Sequence, residues 1–174
     1  MAVQQLNTTG HADWKIGDAL GASRWMRINQ DQIDAFGALT EDLEPLHNDP
    51  LWCELNSPYR KPIAYGFLTL SLLTKFIHEA TADAMRGHPS TKSYPLNYGF
   101  DRIRFIAPVV VDSRVRAHFT LSERKERLDG DLLRIEVAVE IEGQDRPALM
   151  ADWLTMWVTE PVGSRLAATN PASQ

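Results

Sequence analysis

Residues 66–85 have the length and residue types of one long helix, and its first half, with Phe67, Leu68, Leu70, Leu72 and Leu73, is apolar nearly all round. A helix of that kind cannot lie on a protein surface and must be buried. Four strand-like segments follow it, over residues 98–106, 114–124, 132–141 and 148–158. The clearest alternates Leu133, Ile135, Val137, Val139 and Ile141 with Arg134, Glu136, Ala138, Glu140 and Glu142, the period of a sheet with one apolar and one wet face. Val115, Ala117, Phe119 and Leu121 alternate with Arg114, Arg116, His118 and Thr120 in the same way. Asp129-Gly130 and Gly143-Gln144-Asp145 supply turns that make these strands antiparallel neighbours. The apolar face needs a cover and the helix needs burial, so the predicted architecture is α+β, an antiparallel sheet wrapped around a central helix.

The rest of the chain fits one domain over residues 1–174, with an ordered core at about 14–160 and loose polar tails over the first twelve residues and over 164–174. Residues 25–28 read as a short strand. Asn29 or Asp31 then caps a helix whose apolar positions are Ile33, Phe36 and Leu39. Asp49-Pro50 starts a second helix to about Leu55, and 56–61 and 87–93 read as loops. The net charge of −5 and the lack of a dense Lys/Arg run disfavour nucleic acid or an anionic membrane as partner, leaving a small molecule. No apolar run reaches the roughly 18 to 20 residues of a membrane span. The lone Cys53 cannot form an internal disulfide, and residues 1–7 lack a signal-peptide pattern, so the expected location is the cytoplasm.

An acid and an imidazole stand five residues apart at Asp42 and His47. Pro45 between them disfavours a helical Glu44 and places the pair on a bend, where both side chains can converge on one substrate as general acid and base. The alternative is structural, with Asp42 as a cap and His47 as a loop histidine paired to Asp49. A metal site from Asp42, His47 and Asp49 lacks the paired His or Cys spacing of zinc ligands, so no metal is expected. Cys53 reads as a small hydrophobe rather than a nucleophile. His11, His78, His88 and His118 have no evident partner in the sequence and read as solvated or structural.

The segment Glu41-Asp42-Leu43-Glu44-Pro45-Leu46-His47-Asn48-Asp49 resembles the signature Gly-Asp-x-Asn-Pro-Ile-His-x-Asp of the MaoC-like dehydratases, or (R)-specific enoyl-CoA hydratases. Residues 63–72, Ile-Ala-Tyr-Gly-Phe-Leu-Thr-Leu-Ser-Leu, resemble the nodulation protein N-like branch of that family, with Tyr65 at a histidine position. Residues 97–109 look like the same branch, so the resemblance covers about 16–158. It implies the hot-dog fold, a homodimer, and reversible syn hydration of a trans-2-enoyl thioester to an (R)-3-hydroxyacyl thioester. It implies no metal or organic cofactor, with coenzyme A entering only as part of the substrate. Asp42 and His47 would hold a water between them, the roles of acid and base being open.

The resemblance also extends the site. Gly66, opening the central helix, is the expected oxyanion donor, with the Phe67 amide as alternative; a purely packing role for Gly66 would demand the same residue. Tyr65, Glu44 and Ser71 are expected beside the substrate, although Ser71 can also bond back to a helix carbonyl. Arg102 and Arg104 share a strand face and would either meet coenzyme A phosphates or stand as solvent charges. Glu41 replaces a glycine, predicting an altered loop, and Glu44 replaces a neutral amide, predicting a second carboxylate near the pair. Two other functions remain open. One is a non-catalytic acyl-binding or partner-binding subunit, favoured by Glu41, Glu44 and Tyr65. The other is a thioesterase, disfavoured because residues 66–76 contain no carboxylate.

Overall fold

The computed structural model describes residues 11–82, 84–85, 93–128 and 130–158. Two short strands open it, β1 (Ala19–Ala22) and β2 (Met26–Arg27), followed by three helices, α1 (Gln30–Thr40), α2 (Pro45–Asn48) and α3 (Pro50–Asn56). The central helix comes next in two pieces, α4 (Gly66–Ser71) and α5 (Leu73–Ala80), and then four long strands, β3 (Tyr94–Phe105), β4 (Arg114–Arg127), β5 (Gly130–Ile141) and β6 (Leu149–Val158). The sheet runs β1-β4-β5-β6-β3, with β2 also on β4, and each pairing is antiparallel.

The alternation predicted for β4 and β5 holds. Val115, Ala117, Phe119 and Leu121, with Leu133, Ile135, Val137, Val139 and Ile141, are all buried. They form one apolar cluster with Leu73, Phe76 and Ile77 of α5 and with Trp153 and Trp157 of β6. The expected α+β arrangement of helix against sheet is therefore present.

Several expectations are corrected. The central helix breaks at Leu72 and ends at Ala80. Hydroxyls crowd the break: Ser71 Oγ donates to the Leu68 carbonyl at 2.8 Å and Thr74 Oγ1 to that of Ser71 at 3.1 Å, bonds that compete for helical acceptors and bend helices. Nor is the first half buried all round, since Phe67 is 66% exposed. On α1, Ile33 is buried but Leu39 is exposed, and the core-facing turn instead carries Gly37. Of residues 25–28 only Met26 and Arg27 pair, and β3 begins at Tyr94 rather than residue 98. The loop expected at 87–93 and the tail at 164–174 lie outside the described residues, apart from Ser93.

Of the tail expected over the first twelve residues, 1–10 lie outside the described residues, and the remainder is not loose. His11–Asp13 form a 3₁₀ turn, and the His11 ring stacks on Trp157 at 4.1 Å, with Nε2 3.6 Å from Asp131. Burial lowers the His11 pKa to about 4 from an ordinary 6.5, against the raising effect of Asp131. Because the docked state favours neutral imidazole, its contribution to stability is complete above pH 6.5 and is lost as pH falls toward 4. His11→Phe keeps the ring and removes the titration. Thermal melts between pH 7 and 4 are expected to show a steeper loss for the unsubstituted protein than for His11→Phe; parallel curves would contradict this.

His118 also has a partner, its Nε2 lying 2.8 Å from Glu140 Oε2, which accepts from Arg116 Nε at 2.7 Å. These residues stand on the wet face of the sheet, where such pairs contribute little. Among the described residues, no helix is long and apolar enough to cross a membrane.

Candidate active site

The loop carrying Asp42 and His47 is shaped by its own sequence. Asn29 and Gln32 form a reciprocal capping box at the start of α1, and Glu41 ends the helix in the left-handed conformation, φ 58° and ψ 20°. Glu41 thus adopts the backbone that the family's glycine favours, at a cost of order 1 kcal/mol for a side-chain-bearing residue. Glu44 is extended before Pro45, as expected of a residue preceding proline, and α2 forms one turn beyond it. This turn escaped the sequence reading because non-local bonds hold it: Cys53 Sγ lies 3.4 Å from the Pro45 carbonyl and 3.3 Å from that of Leu46, which also accepts from Ile63 N at 3.2 Å. Asp49 does not join the pair; its carboxylate caps α3 by accepting from Trp52 N at 2.8 Å.

The segment entering α4 is pinned to the chain after β3. Ala64 N donates to Val109 O at 2.7 Å and Val111 N to Pro62 O at 2.9 Å. Between these segments lies a cleft of about 500 Å³ whose walls include Asp42, His47, Tyr59, Gly66, Phe67, Thr69, Phe105 and Pro108. The structure thus brings Asp42, His47, Tyr65, Gly66 and Phe67 of the predicted residues to one cavity.

His47 is oriented by its neighbours. Its Nδ1 lies 2.7 Å from the Ile63 carbonyl, and its ring lies against Tyr65 with centroids 3.8 Å apart. A carbonyl only accepts, so Nδ1 bears the hydrogen and Nε2 is the nitrogen left to exchange protons in the cleft. The main chain is held as well, His47 O accepting from Gln30 Nε2 at 2.8 Å. Asp42 is exposed, and its Oδ1 accepts from Glu44 N at 3.3 Å across a two-residue turn.

Gly66 begins α4, whose first amides have no acceptor within the helix, and Tyr65 at the N-cap gives no side-chain cap. A Cβ on Gly66 would lie 2.9 Å from the Phe105 ring, so the packing reason for this glycine is also present. Phe67 and Phe105 meet edge to face at 5.8 Å.

Three predicted residues stand elsewhere. Ser71 is exposed with its hydroxyl bonded to Leu68 O, and it does not line the cleft. The Glu44 side chain is exposed outside the cleft walls, because the extended Glu44 backbone turns its amide rather than its carboxylate toward Asp42. Arg102 pairs with Asp152 at 2.7 Å, and Arg104 Nη1 donates to Ile103 O at 2.8 Å; both are exposed and neither lines the cleft. The sequence reading missed Asn48, Gly37 and Tyr59. A glycine inside the periodic pattern of α1 was the available signal for Gly37. Among the described residues no cluster of His, Cys, Asp and Glu could hold a metal.

Comparison with known proteins bears on the family and the fold. Residues 11–143 match the family described as MaoC like domain. The chain is 42% identical over 150 residues to Nodulation protein N of Rhizobium leguminosarum bv. viciae, covering 84% of this chain and 89% of that one. It is 33% identical over 144 residues to 3-hydroxyacyl-thioester dehydratase Z of Mycobacterium tuberculosis, covering 82% and 90%. The structure of an (R)-hydratase from A. caviae superposes with a TM-score of 0.65 at 22% identity, over 83% of this chain and 97% of that one, and shows the hot-dog fold. On the extent of these matches, the chain belongs to the MaoC-like dehydratase family.

Proposed function

We propose that the protein catalyses reversible syn hydration of a trans-2-enoyl thioester to an (R)-3-hydroxyacyl thioester, with coenzyme A as the carrier. The observation that carries this reading is the meeting of Asp42 and an oriented His47 in one cleft with the first amides of α4. One member of the pair takes a proton from water as its oxygen bonds to C3, while the other gives a proton to C2. In this reading both groups stand on the same side of the bound substrate, so oxygen and hydrogen add to the same face. The amides of Gly66 and Phe67 receive the charge that develops on the thioester oxygen. In this reading the groups named perform the reaction without a metal or organic cofactor, and the protein works in the cytoplasm.

Arg104 is the better candidate for a coenzyme A phosphate, since Arg102 already pairs with Asp152. A thioesterase is less well supported: Asp42 is the one carboxylate among the cleft-lining residues, and Glu79 on α5 is engaged by Lys75 and Arg24. The test follows loss of enoyl absorbance with crotonyl-CoA and longer trans-2-enoyl-CoAs. Turnover supports the reading. Binding of acyl-CoA without turnover would favour a non-catalytic acyl-binding subunit, and release of free thiol would favour a thioesterase.

The active form is proposed to be a homodimer. β3 stands at the sheet edge; Tyr98 and Phe105 on it are half or more uncovered, as are Phe67 and Met150, and Leu96 on it is also exposed. An apolar edge strand of this length invites pairing with a second copy. Sedimentation is expected to give a dimer; a stable monomer at assay concentration would contradict this.

A further inference from the structure

Tyr65 stands where the resemblance places a histidine, and it reaches the cleft with its hydroxyl already bonded within the protein. Its hydroxyl meets two oxygens at once, the Asp42 main-chain carbonyl and, at 2.6 Å, Asn48 Oδ1. Asn48 cannot turn its amide nitrogen toward the phenol, because Nδ2 is committed to Asp34 Oδ1 at 2.9 Å. One hydroxyl hydrogen therefore serves two acceptors, one on each side of the bend that separates Asp42 from His47.

The ring is placed as firmly as the hydroxyl. It lies 3.8 Å from the His47 ring on one contact and 5.3 Å from Phe36 on another. Gly37 on α1 makes the space: a Cβ there would fall 2.5 Å from Tyr65 Oη, 2.9 Å from Asp42 O and 3.2 Å from Asn48 Oδ1. The residues before Tyr65 add the Ile63 carbonyl that holds His47 Nδ1 at 2.7 Å.

We propose that Tyr65 is a positioning residue for the hydration reaction, a clamp whose hydroxyl fixes the Asp42–His47 loop at both ends while its ring sets the plane of the His47 imidazole, and that Gly37 is the socket that admits it. The inference rests on the enoyl-thioester reading of the site. Burial, followed by the charges of Asp42 and Asp34, raises the phenol pKa, so the bridging hydrogen stays in place through neutral pH. The hydroxyl does not touch the reacting atoms; it acts through the two residues that do.

The clamp predicts a coupled pair of substitutions. Tyr65→Phe keeps the ring and loses the bridge, and is expected to lower kcat for crotonyl-CoA on the order of tenfold with KM within about twofold. Gly37→Ala forces a methyl against the hydroxyl and is expected to lower kcat at least as much. In Gly37→Ala/Tyr65→Phe the contact at 2.5 Å is gone, so the double variant should be no slower than Gly37→Ala alone. Unchanged kcat in Tyr65→Phe, or losses that multiply in the double variant, would overturn the proposal. Amide hydrogen exchange gives a readout that needs no substrate: Tyr65→Phe should speed exchange at Glu44 and His47 with the strands of the core unchanged. If the unsubstituted protein turns over no enoyl thioester, the hydratase reading fails while exchange still decides the clamp, with unaltered rates in Tyr65→Phe counting against it.

Discussion

Asp42→Asn and His47→Ala are each expected to lower turnover of a trans-2-enoyl thioester by about 10²- to 10⁴-fold, the usual contribution of a positioned acid or base. Asp42 is exposed, and the one side-chain bond it makes in its turn, from Glu44 N, can be accepted equally by an asparagine oxygen. His47→Ala loses the bond to Ile63 O and the contact with Tyr65, which costs stability on the order of 1–2 kcal/mol. Both variants should therefore remain folded by circular dichroism. In the proposed mechanism the two groups act together on one addition, so the double variant should lose little more than the worse single one. A variant at either position that keeps near-normal kcat would remove that residue from the chemistry.

Gly66→Ala is expected to lower kcat/KM by about 10- to 100-fold with little change in melting temperature. The added methyl would sit 2.9 Å from the Phe105 ring, on the cleft side of the amides assigned to the oxyanion. Phe105 is 50% exposed and can swing outward, while alanine is the better helix former, so stability should hardly move. The experiment separates the two reasons for this glycine. A packing role alone would show as a lower melting temperature with near-normal kinetics.

The strand pairs were legible because burial of one face imposes period 2: Leu133 to Ile141 and Val115 to Leu121 sit where alternation places them. The α1 start was equally legible, since Asn29 caps through its own side chain. β1 was not, because Ala19–Ala22 carries no β-branched or aromatic residue and is a strand through pairing with β4. Leu39 and Phe67 show a different limit, as a periodic pattern names an apolar face without saying what covers it. At the site, the spacing around Pro45 suggested two side chains facing one space, and Asp42 and His47 both line the cleft. The contacts of Tyr65 with Asp42 and Asn48 span 23 and 17 residues, and no local pattern announces them. Ser71 was misplaced because its hydroxyl had two uses, and the helix carbonyl took it.

The most direct measurement hydrates crotonyl-CoA in D₂O and reads the configuration of the 3-hydroxybutyryl product at C3 and C2. The proposed syn hydration predicts (R) configuration at C3, with deuterium at C2 on the face that receives the new oxygen. An (S) or racemic product, anti addition, or deuterium scrambled at C2 would contradict the account.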